Sequence, residues 1–584
     1  MYKKILYPLF LLAVAYILFS SGDAKTIISG IAIFLIGMVF MEDGFKLFSG
    51  GILEKVLATS TKTVPRAIGT GFLATSVVQS SSLITVIVIS FLSAELMSLA
   101  GAIGVVFGSN IGTTTTAWIV SSFGVKIKIS VYAMPMLIFG VIFKFNANKT
   151  YQGLGNVLIG LGFVFLGIGY MKEGFDALKS GLDLSQYAME GYLGVLVFVL
   201  IGAVATIVIQ SSSATMALII TALVTQQISY MNALELAIGA NIGTTVTAVV
   251  GSLASNANGK RLAIAHLIFN IITGAVAIIF LYQLADVVEV LAEYVGILSS
   301  DYAMKLALFH TIFNVLGVLI VSPFTYKLVT FLEGLFKGEK SDVSKPKYLD
   351  EVTIEIPDAA IKALKKEVIH MYVNSTEAIA HALSLHRHKF LGHQNISDVV
   401  KTSTKNIEID IDEHYENKIK VLYNEIIRYA TISQIHMDEA EQERSYRLKL
   451  ASKYIVEAVK DSKAIHKSIT EKLNTKNQYI LDEYNFIREM LAKTLNDIYT
   501  LSKKHDDIEV LSKIEVLKEN IEELNIMSNG RIDNLIREDK IEASLATSLI
   551  NDSGFAYDIS KCLIEVATIL WIEDTDIQNL GSDI

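Results

Sequence analysis

Cysteine is nearly absent from this chain of 584 residues: Cys562 is the only one, which excludes an intrachain disulfide and a cysteine metal cluster. Charge is scarce in the first part alone. Residues 1–344 carry 19 Lys or Arg and 17 Asp or Glu, spread between apolar runs that match the ~20 residues an α-helix needs to cross a bilayer. Residues 345–584 carry 31 basic and 42 acidic residues, a net charge of −11 that makes this part a poor partner for nucleic acid. Proline stops at Pro357. No nucleophile–base pair, nucleotide phosphate loop or zinc motif stands out, which argues against an enzyme.

What is present is a polar signature that occurs twice inside apolar sequence. Gln79-Ser80-Ser81-Ser82 returns as Gln210-Ser211-Ser212-Ser213, and Asn110-Ile111-Gly112-Thr113-Thr114 returns as Asn241-Ile242-Gly243-Thr244-Thr245. Both pairs are displaced by 131 residues, so one unit has been duplicated. Candidate spans are Ile5 to Ser20, Ile28 to Phe48, Ile129 to Phe145, Leu154 to Met171, Leu262 to Leu284 and Met304 to Phe324. Longer tracts, Ala67 to Phe123 and Leu193 to Leu253, hold the signatures.

Excess Lys and Arg marks the cytoplasmic side. The segment after Met41-Glu42-Asp43-Gly44-Phe45 is basic (Lys55, Lys62, Arg66), whereas the one after Met171-Lys172-Glu173-Gly174-Phe175 is acidic (Asp176, Asp183, Glu190). The two units are therefore expected to enter the membrane from opposite sides, as in carriers that bind substrate where inverted repeats meet. Lys126 and Lys128 fall on the wrong side of this scheme.

A Gln-Ser-Ser-Ser run is costly in hydrocarbon unless its polar groups are satisfied or line a cavity. Gly71, Thr75, Gly108 and Gly112, with counterparts Gly202, Thr206, Gly239 and Gly243, surround the runs and are expected to let the chain turn or break there. A broken helix offers N–H groups and serine hydroxyls to an oxyanion, and the same hydroxyl and amide oxygens suit an alkali cation. Apart from flanking Arg66 and Arg261, no arginine lies near the signatures, so co-bound cations are the natural source of balancing charge. His266-Leu267-Ile268-Phe269-Asn270 and His310-Thr311-Ile312-Phe313-Asn314 each place His and Asn on one helical face, where interhelical hydrogen bonding is the expected role. Glu95 and Glu235 are expected at hairpin tips.

At these residues the chain resembles the type II sodium-phosphate cotransporter family, over about residues 28 to 330. The resemblance implies that Gln79, Ser80, Ser81, Ser82, Gln210, Ser211, Ser212 and Ser213 bind sodium and phosphate in re-entrant segments. Asn110, Thr113, Thr114, Asn241, Thr244 and Thr245 are implied as supporting ligands. Some animal members carry His-Asp-x-Phe-Asn in the first repeat, with the aspartate tied to an additional sodium ion. Here the segment reads Met136-Leu137-Ile138-Phe139-Gly140, which favours an electroneutral cycle.

Beyond Lys345-Pro346, Pro357-Asp358 marks a helix start, and the remaining sequence is rich in Glu, Lys, Leu and Ile at helical period. It reads as a bundle of long antiparallel helices and looks like the PhoU-like domain fused to bacterial members of the family. Glu457 and Asp461 fit a Glu-x-x-x-Asp pattern that binds metal in PhoU proteins and would make a divalent metal a cofactor. Gly554 stands where the second half needs its first acid, and a solvated face is the favoured reading.

The expected architecture is all-α: a polytopic membrane protein over residues 1–344, with inverted repeats at about 28–145 and 151–284 and a further helix at 303–333. A cytoplasmic PhoU-like bundle is expected over 345–584. The expected function is sodium-coupled import of inorganic phosphate by alternating access at the bacterial inner membrane. Alternatives are a phosphate sensor acting through the bundle and a phosphate exporter. Sodium, phosphate and lipid are the implied partners, with a homodimer as a candidate assembly.

Overall fold

The computed structural model describes residues 15–16, 18–19, 22–49, 53, 56–57, 60–124, 130–178, 191–253, 255–336, 345–392, 395–407, 410–504, 507–524 and 531–572. Among them, every regular element is helical. The expected span Ile5 to Ser20 lies largely outside these residues, as do Lys126, Lys128, Asp183 and Glu190. The chain divides into two compact units, Met1–Gly338 with Asp350–Val352, and Glu339–Leu349 with Thr353–Ile584.

In the first unit one series of five helices occurs twice. The first series is α1 (Gly22–Ser49), α2 (Val64–Val78), α3 (Ser81–Ser93), α4 (Leu99–Ile119) and α5 (Ser130–Lys144). The second is α6 (Lys149–Leu178), α7 (Gly191–Ile209), α8 (Ser212–Val224), α9 (Tyr230–Ser252) and α10 (Ala257–Ile279). Then follow α11 (Leu281–Tyr294), α12 (Tyr302–Val321) and, past a turn at Pro323, α13 (Thr325–Leu335). Among the described residues, six helical stretches are long and apolar enough to cross a membrane: Gly22–Leu47, Lys149–Leu178, Gly191–Ile209, Tyr230–Ser252, Ala257–Ile279 and Tyr302–Leu335. On α7, Leu193, Leu196, Leu200, Val204 and Val208 form one exposed apolar stripe, the face that hydrocarbon covers.

The glycines of the signatures do not break the helices. They let helices touch. A Cβ on Gly108 would lie 1.9 Å from the carbonyl oxygen of Ile68, and one on Gly239 would lie 2.0 Å from that of Val199. Gly71 and Gly202 are as tightly placed, at 2.1 Å from Val105 O and 2.2 Å from Leu236 O. These residues close α2 on α4 and α7 on α9 in the small-residue manner of membrane helices.

Each short helix ends in a tip built alike. After α3, Glu95 takes left-handed backbone (φ 54°) and Leu96 N–H donates to Phe91 O at 2.7 Å; after α8, Gln226 (φ 61°) and a 2.9 Å bond from Gln227 to Ala222 O do the same. Ser98 and Ser229 then cap α4 and α9. Glu95 thus stands at a tip, but Glu235 does not: it is buried inside α9 and accepts from Asn232 Nδ2 at 3.0 Å. The counterpart of Glu95 at the 131-residue offset is Gln226. A short downstream segment also belongs to this unit, because Asp350 Oδ2 accepts from Asn256 N–H at 2.9 Å and Val352 O accepts from Ser90 Oγ at 3.1 Å.

The second unit is built on α14 (Pro357–Ala382), α15 (Lys420–Ser433), α16 (Glu439–Lys472), α17 (Gln478–Leu501), α18 (Asp507–Ile521) and α19 (Ala543–Trp571). Proline opens α14, and a reciprocal capping box of Asp438 and Glu441 opens α16. Ile455, Val459, Leu491, Leu495, Ile559 and Leu563 lie in its buried core. Arg488 is fully buried, its guanidinium donating to Leu383 O, Ser403 O and Asn485 Oδ1 at 2.7 to 2.9 Å.

Candidate functional site

Each Gln-Ser-Ser-Ser run is a helix stop followed at once by a helix start. Gln79 ends α2 in left-handed backbone (φ 61°, ψ 19°), its N–H donating to Thr75 O at 2.7 Å. Ser80 caps α3, its Oγ accepting from Leu83 N–H at 3.2 Å. Gln210 (φ 60°) and Ser211 repeat this, with 2.8 Å to Thr206 O and 3.2 Å from Ala214 N–H. The consequence is two helix N-termini, each a positive dipole end, facing inward among serine hydroxyls.

One cavity of about 170 Å³ collects both runs. All eight residues of the two runs line it, as do Thr206, Thr244 and Thr247. One water occupies a share of about 30 Å³, so the space has room for roughly five waters and admits a small oxyanion. Thr116 links the two runs directly: its Oγ1 donates to Gln79 Oε1 at 2.8 Å and lies 3.2 Å from Ser213 Oγ. Gln79 is held further by Nε2 donating to Thr115 Oγ1 at 2.8 Å. Gln210 is exposed, and its amide donates to Ile207 O within its own helix.

Of the supporting ligands expected, Thr244 lines the cavity, and Asn110, Thr113, Thr114, Asn241 and Thr245 do not. Thr113, Thr114 and Thr245 donate to helix carbonyls at Ser109, Ile111 and Ile242. Asn110 Nδ2 donates to Val106 O and lies 3.4 Å from His266 Nε2. Asn241 Nδ2 donates to Asn270 Oδ1 and Asn314 Oδ1, each at 3.2 Å, so both His-x-x-Phe-Asn segments join one network across α9, α10 and α12. A smaller cavity of about 40 Å³ shares Ser81, Ser82, Thr244 and Thr247 with the first and reaches His266.

Sequence reasoning missed the wall supplied by α1: Leu35, Met38, Val39 and Glu42. Their spacing of three, four and seven residues puts them on one helical face, a signal present in the sequence. Glu42 Oε2 accepts from Ser80 Oγ at 3.2 Å, and its Oε1 lies 3.2 Å from Lys46 Nζ.

The metal expectation is not met among the described residues, where no three His, Cys, Asp or Glu side chains are grouped to hold an ion. Glu457 pairs with Lys453 at 3.4 Å instead. Burial, with Asp558 and Glu457 nearby, pushes the Asp461 carboxyl up to about 6.

Residues 33–173 and 188–306 match the family described as Na+/Pi-cotransporter. An uncharacterised Bacillus subtilis protein, YqeW, is 30% identical over 269 residues, 45% of this chain and 84% of its own length. The chain belongs to the Na+/Pi-cotransporter family. It is therefore a multi-pass membrane protein of a transporter family and not of an enzyme family. The chain is also similar to YjbB of Escherichia coli K12, named "Putative inorganic phosphate export protein", at 30% identity over 262 residues, 44% of this chain and 47% of that one. Its Salmonella typhimurium counterpart is 29% identical over 268 residues, 46% of this chain and 48% of that one. The chain thus spans about half the length of these two export-named relatives. No solved structure matches.

Proposed function

We propose that this member of the Na+/Pi-cotransporter family is a sodium-coupled carrier of inorganic phosphate, with Gln79 to Ser82 and Gln210 to Ser213 as its substrate and sodium site. The observation that supports this best is the shared cavity, where two helix N-termini and six serine hydroxyls converge without a guanidinium. Helix N-termini favour an oxyanion, and hydroxyl and amide oxygens favour an alkali cation that offsets its charge. The two five-helix series act as inverted repeats, and alternating access follows from one moving against the other around this cavity. Asn110, Thr113, Thr114, Asn241 and Thr245 act from behind the wall by holding the helices that carry it.

With sodium moving inward down its gradient, symport means import across the bacterial inner membrane, the bundle on the cytoplasmic side acting as a PhoU-like regulator. A second reading, export through the same site, is favoured by the names of the YjbB relatives. Proteoliposomes loaded with labelled phosphate on one side, with a sodium gradient imposed in either direction, test both. Flux that follows the sodium gradient supports the symporter. Flux indifferent to sodium sinks it, and net efflux against an inward sodium gradient establishes export.

A further inference from the structure

We propose that Asp350–Val352 is a latch that pins the end of α3 to the start of α10, and that transport speeds up when it lets go. This is a regulation of the carrier proposed above and rests on that reading. The helix α3 belongs to the first five-helix series and α10 to the second, so a bond between them opposes the movement of one series against the other.

The latch closes on a node of small polar side chains, of which Ser90, Ser93, Ser255 and Asp350 are buried. Ser93 Oγ lies 3.1 Å from Ser255 Oγ, and Asn256 Nδ2 donates to Ser93 O at 3.1 Å. Asp350 completes the node, its Oδ2 accepting from Asn256 N–H at 2.9 Å and from Ser255 Oγ at 3.2 Å, while Val352 O accepts from Ser90 Oγ at 3.1 Å. Asn256 is the N-cap of α10, so the carboxylate also meets the positive end of that helix. Three residues thus hold both helices at once.

The node stands at the end of a path from the serine runs. Ser82, Val86 and Ile89 line the smaller cavity, and Ser93 follows one turn later on the same face of α3. At Gly259 the start of α10 presses on that face: a Cβ there would lie 3.0 Å from Ile89 Cγ2. Movement of α10 away from α3 therefore extends the smaller cavity past Ile89, and the latch opposes it. The latch also has a handle. Its chain neighbours Leu349 and Thr353 fold with the second unit, where Thr353 is buried and its hydroxyl pairs with Tyr429 Oη. A shift of that segment reaches Asp350 through the backbone itself.

The test is sodium-driven phosphate flux in proteoliposomes of the full chain, beside labelling of Ile89→Cys in a Cys562→Ser background by a water-soluble maleimide, which reads the closure without transport. Asp350→Ala should raise flux and labelling rate about tenfold, the scale of one hydrogen bond to a charged group lost from the closed state alone. Ser90→Ala should raise both by about threefold and is read in the same way if Asp350→Ala does not fold. A bifunctional thiol reagent joining Ser90→Cys to Val352→Cys in the Cys562→Ser background should slow flux. Labelling at the wild-type rate in the folded variants overturns the latch, and faster labelling with unchanged flux overturns its control of transport. Wild-type protein without sodium-driven flux overturns the carrier reading instead, and labelling alone then decides the latch.

Discussion

The two halves of the cavity share a backbone and differ in what surrounds it. Gln79 and Gln210 adopt the same left-handed turn, and Ser80 and Ser211 cap the following helices in the same way. Around the first run, Gln79 is held by Thr115 and Thr116, Thr75 by Ser109, and Ser80 faces Glu42. Around the second, Gln210 is exposed and Thr206 is unpaired. Val246 and Ala240 occupy the places of Thr115 and Ser109, and Thr247, in the place of Thr116, donates to Thr244 O, so among the described residues the second half has no hydroxyl on Gln210 or Thr206. The turns are thus common to both halves, while the first carries the hydroxyl partners and the carboxylate that the second lacks.

The most severe way to break the shared part is to separate the helices. Gly108→Val and Gly239→Val each force a side chain onto a carbonyl oxygen, and we expect a loss of about 3 kcal/mol or more in either half, read as lost monodisperse protein. Gly251→Ala, with open space at its Cβ, should be neutral. If one of the two valine variants folds normally, the halves are not equivalent in backbone packing.

Filling the cavity comes next. Ser81→Trp or Ser212→Trp should reduce sodium-driven phosphate flux by about a hundredfold, the scale on which misplaced reacting groups fail, with the unfolding temperature nearly kept. Unchanged flux would remove these runs from the site.

The glutamines address the asymmetry itself. Gln79→Ala leaves Thr115 and Thr116 without their partner and should cost ~1–3 kcal/mol of stability, whereas Gln210→Ala should stay within about 0.5 kcal/mol and weaken phosphate binding instead. Equal stability losses would mean that the second half is as rigid as the first.

The mildest change restores symmetry. Ala240→Ser supplies Thr206 with the partner that Ser109 gives Thr75, and should add ~1 kcal/mol of stability while lowering flux a few-fold. Flux equal to wild type would show that the unpaired hydroxyl does not serve the occupant.

Much of this is legible in the sequence. Apolar run length revealed the helices, and the two Gln-Ser-Ser-Ser runs coincide with the helix breaks because Ser is a strong N-cap and four polar residues cannot sit mid-helix unsatisfied. The glycines misled, since a glycine beside a polar run reads as a hinge. Their four-residue spacing at Gly104, Gly108 and Gly112 was the better guide, being that of a helix-packing stripe. The spacing of Leu35, Met38, Val39 and Glu42 shows a shared helical face but not what it faces, because Glu42 reaches Ser80 only through the packing of α1, 38 positions earlier in the chain. Glu235 was misplaced although the 131-residue offset sets Gln226, not Glu235, opposite Glu95; Glu235 lies nine residues further on, inside α9 and bonded to Asn232.

The left-handed turns at Gln79 and Gln210 carry a lesson for protein engineering. A residue with a Cβ in that conformation costs about 1–2 kcal/mol, and glycine would relieve most of it. At Gln79 the bonds to Thr115 and Thr116 offset that cost, whereas the Gln210 amide is kept against a local stability gradient, which is how function and robustness come into conflict. A laboratory selection that ranks variants by heat resistance would enrich glycine at the Gln210 turn, whose amide bonds only within its own helix, and discard an amide that lines the cavity. Libraries built on this scaffold should hold that codon fixed.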